Sequence, residues 1–144
     1  MPREHISADL AQRVREAAGH RCGYCLSPQW LVMARMEIDH ILPVAKGGNN
    51  EESNLWLACP ICNSHKSDKT EAVDPETGEL HPLFNPRTQI WKEHFRWSSD
   101  GIHIIGLTPV GRATVIALQL STDPDALQVR SRWVIASSRW APAE

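Results

Sequence analysis

Apolar positions recur at Leu10, Val14 and Ala17, the single stripe of an amphipathic helix. Ser7 suits its N-cap and Gly19 its stop. Cys22-Gly23-Tyr24-Cys25 then reads as a tight turn. From Trp30 to Leu42 the residues are largely apolar and β-compatible, which predicts one strand ending at Pro43. Lys46-Gly47-Gly48-Asn49-Asn50 is a loop rich in residues that tolerate positive φ. From Ser53 the pattern is compact and partly helical, with Leu55, Trp56 and Leu57 as core candidates and a turn leading into a short helix between Cys59 and Lys69.

Beyond that, Asp74-Pro-Glu-Thr-Gly78 is a turn, and a boundary between a core and an appendage falls there. Asn85-Pro86 predicts a helix start continuing through Ile90, Trp91 and His94. Ser98-Ser-Asp-Gly101 suits a hairpin turn between Phe95–Trp97 and Ile102–Ile105. Thr108-Pro109 and Asp123-Pro124 repeat the cap-plus-proline device and predict helices to about Leu120 and Ser137, before a frayed end.

The chain has 144 residues, enough for one compact core with a small appended part, divided at 1–73 and 74–144. A formal net charge of −2 argues against a broad cationic coat for nucleic acid, although Leu80 to Arg139 is locally positive, with seven Lys/Arg against four Asp/Glu. Arg87, Lys92, Arg96, Arg112, Arg130 and Arg132 are collective candidates for DNA contact. Trp91, Trp97, Trp133 and Trp140 suit the core better than a base-stacking platform, and His81, His94 and His103 carry no motif. The N-terminus lacks the apolar run of a signal peptide and no segment is apolar enough to span a bilayer, so a cytoplasmic, reducing location is expected. There, four cysteines suit a metal better than disulfides.

Their spacing is Cys22-x2-Cys25 and Cys59-x2-Cys62. Two intervening residues let a tight turn aim both sulfurs at one ion, and two such turns complete a tetrahedral Zn²⁺ site. Four thiolates leave no open position, so the zinc would be structural, its binding coupled to folding. Two free buried pairs, or a redox Cys-x-x-Cys, are the alternatives; two pairs in one short domain fit a shared metal better.

Between and just after the cysteines lie Glu37-Ile-Asp39-His40-Ile-Leu-Pro43, Gly47-Gly48, Asn54-Leu55 and Cys62-Asn63-Ser-His65-Lys66. These supply a carboxylate, an imidazole that can accept a proton from water, and a carboxamide or second imidazole. Such donors suit Mg²⁺, Mn²⁺ or a similar ion with positions left for phosphate. Neighbouring strand residues face opposite ways, so Asp39 and His40 serve one site only if the strand ends or twists there. Glu37 shares a face with Asp39 by alternation and reads as structural.

This ordered set resembles the HNH endonuclease family in its four-cysteine zinc variant, over roughly Arg21 to Lys69. The resemblance implies an α+β fold: a ββα-metal nuclease core with a four-cysteine structural zinc site, followed by a small helix/hairpin/helix appendage. By resemblance, His40 is the general base, Asp39 a ligand of the catalytic divalent ion, and Asn54 the residue that holds the loop and the histidine in place. Asn63 stands at the last catalytic position, and His65, two residues on, is a second candidate to complete the ion site. Lys66 is a candidate phosphate contact, or a brace for its helix. The implied activity is one-metal hydrolysis of DNA phosphodiester bonds with Mg²⁺ or Mn²⁺. The rival class is a non-catalytic zinc module that binds nucleic acid, a degenerate relative included. A zinc hydrolase or deaminase needs an open zinc position, which four thiolates deny it.

Overall fold

In the computed structural model, which describes residues 5–136, the frame is an antiparallel hairpin of β1 (Glu37–His40) and β2 (Leu55–Ala58). The register pairs Asp39 with Trp56 and His40 with Leu55, so Glu37 and Asp39 share one face of the hairpin and Ile38 and His40 the other. Helix α1 (Ala8–Ala17) lies against β2, with Val14 and Leu55 both fully buried; the Ser7 hydroxyl accepts the Leu10 N–H, and Gly19 ends the helix at φ +63°. Helix α2 (Pro60–Lys66) follows β2 directly. Cys59 is its N-cap, its sulfur accepting the Cys62 N–H, and Pro60 occupies the first turn, where no donor is lost. This order, strand, strand, helix, is the ββα unit.

Two features of the first half differ from the sequence expectation. The long strand from Trp30 shrinks to the four residues of β1, preceded by a single 3₁₀ turn at Gln29–Leu31. The cause is the Gln29 side chain, whose amide donates to the Val32 and Ala34 carbonyls and accepts from the Met36 N–H. Those backbone groups are thereby spent on a side chain instead of a neighbouring strand. Within the stretch from Ser53 that reads as compact and partly helical, Leu55–Ala58 is a strand, its apolar side chains fixed by pairing with β1.

The second half holds two more hairpins, β3 (Glu71–Val73) with β4 (Leu80–Pro82) and β5 (Phe95–Trp97) with β6 (Ile104–Gly106). The first surrounds the Asp74–Gly78 turn, where only the turn itself was legible. Helix α3 is the single turn Trp91–His94. Asn85 does not cap it, because its side chain accepts from the Arg87 and Thr88 N–H groups and closes a local turn. Helices α4 (Pro109–Ala117) and α5 (Pro124–Ala136) start at the expected caps: Thr108 accepts from Gly111 N–H and Asp123 from Ala126 N–H. Ser137, Trp140 and the end expected to fray lie outside the described residues.

Both halves feed one cluster of buried side chains, from Cys22, Tyr24, Met36 and Leu57 to Phe84, Phe95, Ile104 and Leu118. Trp91 packs against it, stacked near Phe95 and Trp97 and donating its indole N–H to the Tyr24 carbonyl at 2.8 Å. Among the described residues no helix is long and apolar enough to cross a membrane.

Helix α4 approaches the end of α3 so closely that a β-carbon on Gly111 would lie 2.0 Å from the His94 carbonyl oxygen. Gly111→Ala is expected to cost about 1–3 kcal/mol through overpacking, measured as a lower urea midpoint with an unchanged slope.

Candidate metal centre and nuclease site

Two Cys-x2-Cys turns meet at one point. Cys22 and Cys25 sit where the backbone doubles back, the Cys22 N–H bonding the Ser27 carbonyl, while Cys59 and Cys62 open α2. All four sulfurs are buried and lie within 4.8 Å of one another, and Cys25 Sγ and Cys59 Sγ are 3.7 Å apart. A tetrahedron with Zn–S bonds of about 2.3 Å has edges of about 3.8 Å. The donor set therefore fits a structural ion such as zinc. The electrostatics agree: bonds from Cys22, Cys59 and Cys62 hold the Cys25 thiol well below its ordinary range. Cys59 and Cys62 are pushed up, chiefly by their neighbours' sulfurs. Four thiolates this close repel one another, and a divalent ion offsets that repulsion.

The neighbouring polar site is built on the face that the hairpin turns to α2. Asp39, only 3% exposed, accepts the Tyr24 hydroxyl at 2.7 Å and the Lys66 ammonium at 3.1 Å, one on each carboxylate oxygen. Burial pushes the Asp39 carboxyl above its usual range, and Lys66 and Tyr24 pull it back. Tyr24 is itself raised by burial and by the adjacent carboxylate. Lys66, 2% exposed, spends its other protons on the His40 and Ile41 carbonyls at 2.8 and 3.3 Å. An ammonium has three donors, and all three are used. The Lys66 ammonium thus braces the end of β1.

Strand β1 ends at His40, where the backbone turns into the loop through Pro43. The half-buried His40 ring places Nε2 2.7 Å from Asn50 Oδ1. The loop between is fixed by Asn54, whose Oδ1 accepts the Leu42 N–H while its Nδ2 donates to the Leu42 and Asn49 carbonyls. Gly48 lets the chain pass, since a β-carbon there would fall on the Leu42 carbonyl oxygen, 1.7 Å away. On α2, Asn63 donates its amide to Glu37 at 2.7 Å, leaving its Oδ1 as a hard oxygen donor.

Asn63 and His65, two residues apart on a helix, point about 200° from one another. Asn63 and Lys66 face β1; His65 bonds Asp123 at 2.7 Å, on the cap of α5. His65 helps hold the Asp123 carboxyl below its ordinary range. The structure brings Asp39, Asn63 and Lys66 to one face, whereas the imidazole of His65 bonds Asp123 of the second half. Glu37, read as structural from sequence, is the partner of Asn63; the signal was its two-residue spacing from Asp39. Three of the nominated cations are engaged elsewhere. Arg87 binds the Leu55 carbonyl above the Trp56 ring, Arg112 grips Asp74 with two bonds, and Arg130 binds the Ile102 and Leu120 carbonyls. Lys92, Arg96 and Arg132 are exposed.

Residues 22–69 match the model of the HNH endonuclease family. The matched segment starts at the first cysteine and runs past Lys66, so it contains the four sulfurs, the hairpin and α2. No curated protein and no solved structure matches the chain.

Two outcomes test these centres. Elemental analysis of the purified protein is expected to give one zinc per chain, and Cys59→Ser to lower the melting temperature together with the metal content. Lys66→Met leaves the buried Asp39 carboxylate unpaired, so a loss of about 3–5 kcal/mol is expected; an unfolding midpoint equal to that of the parent chain would refute the brace.

Proposed function

We propose that the HNH endonuclease domain at residues 22–69 is a divalent-ion-dependent nuclease that hydrolyses phosphodiester bonds of DNA, with His40 as general base. The observation that carries this reading is the His40–Asn50 contact, which orients a half-buried imidazole at the end of the strand that also bears Asp39. With its amide oxygen toward the ring, Asn50 can only accept, so Nε2 carries the proton and the Nδ1 lone pair is left to take one from water. Asn54 holds the backbone on both sides of that contact. Asn63 Oδ1 and the lone pairs of the Asp39 carboxylate left free by its bonds to Tyr24 and Lys66 are the donors that would hold Mg²⁺ or Mn²⁺, and Glu37 fixes which end of the Asn63 amide is presented. When bound, such an ion supplies Lewis-acid stabilisation of the developing phosphorane and of the leaving oxygen. A zinc-containing nucleic-acid-binding module without catalysis is the rival reading.

Supercoiled plasmid incubated with Mg²⁺, Mn²⁺, Co²⁺ or Ni²⁺ decides between them: cleavage abolished by EDTA supports the nuclease, and no cleavage under any of the four supports the rival. His40→Ala is expected to lower the rate about 100- to 10,000-fold while calorimetric Mn²⁺ binding survives. Asn63→Ala is expected to lose that binding. Glu37→Ala is expected to weaken it, and Glu37→Gln, whose side-chain carbonyl still accepts the Asn63 amide, to restore part of it. Loss of Mn²⁺ binding in His40→Ala but not in Asn63→Ala would reverse the two roles.

A further inference from the structure

A second concave surface opens on the other side of β1 from α2. Arg15 of α1, His20 after it, Gln29 of the 3₁₀ turn and Arg35 ahead of β1 line a cleft of about 390 Å³, floored in part by Leu57. Its cations are placed by specific contacts. Arg15 is half-buried and tied through one guanidinium nitrogen to the Met36 carbonyl, leaving the rest of the fork for other acceptors. The three bonds of the Gln29 amide fix the loop from Val32 to Met36, which carries Arg35 to the cleft that Arg15 also lines.

No carboxylate is among the described lining residues, and Arg35 forms no ion pair among the described residues. The contrast with Arg13, two positions earlier on α1, is informative: it is neutralised by Glu52 at 3.0 Å. Glu16, the nearest acid along α1, accepts from the Gln12 amide. Two guanidiniums thus face a shared space without an opposite charge between them. Burial and the charge of Arg35 lower the affinity of Arg15 for its proton, the electrostatic mark of that juxtaposition. An anion in the cleft would relieve it.

Resting on the nuclease reading, we propose that this cleft is a subsite for a backbone phosphate of the bound DNA, away from the bond that is cut, gripped by Arg15 and Arg35 with His20 at its edge. The planar forks of the two arginines match a phosphodiester's paired oxygens. Met36, held by Arg15, directly precedes Glu37, which holds Asn63. The subsite therefore shares a backbone segment with the proposed catalytic donors and would fix the register of the strand relative to them.

The test measures binding, not cleavage, in the His40→Ala background with Mg²⁺ present. Affinity for a labelled duplex is followed by fluorescence anisotropy across a series of salt concentrations. Replacing Arg35 with Gln is expected to weaken binding several-fold on duplexes of unrelated sequence. It is also expected to lower the slope of log K against log salt by about 0.9, one phosphate contact. Arg13→Gln, whose charge is already paired, is expected to leave the slope unchanged. Arg15→Lys keeps the charge but loses the fork, and is expected to lose affinity with little change in slope. An Arg35→Gln slope equal to that of its parent overturns the proposal, as does an equal loss from Arg13→Gln, or a parent that binds no DNA at low salt. Should plasmid cleavage fail in every metal while Arg35→Gln still loses its contact, the subsite stands and the nuclease reading falls.

Discussion

Four buried sulfur atoms within 4.8 Å of one another are the constraint on which the remaining structure rests. Sulfurs so close, and so far from water, repel one another once ionised; a cation makes the arrangement favourable and ties metal affinity to folding. The two turns that supply them belong to segments with very different neighbours. The first follows α1 and donates the Gly23 N–H to the Leu57 carbonyl of β2; the second is the N-terminal turn of α2. One ion would thereby lock the loop after α1, the second strand and the start of α2 together. The orientation of α2 over β1 follows, and with it the positions of Asn63 and Lys66.

The buried pair of Asp39 and Lys66 is the second fastening of the same two elements, at the opposite end of α2. Removing two charges from water costs more than their attraction alone returns, so such pairs persist where hydrogen bonds satisfy every remaining donor. Here Lys66 meets a carboxylate and two carbonyls, and Asp39 meets an ammonium and a phenol. The end of the strand is held from below by Lys66 and from the loop side by Asn54, with His40 between them.

The local signals were legible where a side chain completes a backbone bond within a few residues. Ser7, Thr108 and Asp123 announced their helices, and the paired cysteines announced a shared ion, because each acts over three or four positions. The motif from Asp39 to Lys66 carried the ββα unit for the same reason: its residues lie in fixed order on one short stretch. What was not legible came from partners far along the chain. Nothing near His65 in sequence points to Asp123, and the capture of Lys66 by Asp39 is decided by a strand twenty-seven positions earlier. Gln29 is the instructive failure: its amide turned an apolar, strand-like stretch into a loop. Glu37 looked structural because its only clue was alternation, which says which face a residue takes and not what waits there.

Trp91, Arg87 and Asp123 each reach from the second half to a group of the first: the Tyr24 carbonyl, the Leu55 carbonyl and the His65 ring. Tyr24 in turn holds Asp39. The unit that carries the four sulfurs and the hairpin is therefore not portable. Cut out at Asp74 and grafted onto another protein, it would carry two uncovered carbonyls and a loosened phenol beside its buried carboxylate. A host scaffold would have to offer an indole and a guanidinium in the same places before the graft could keep its shape.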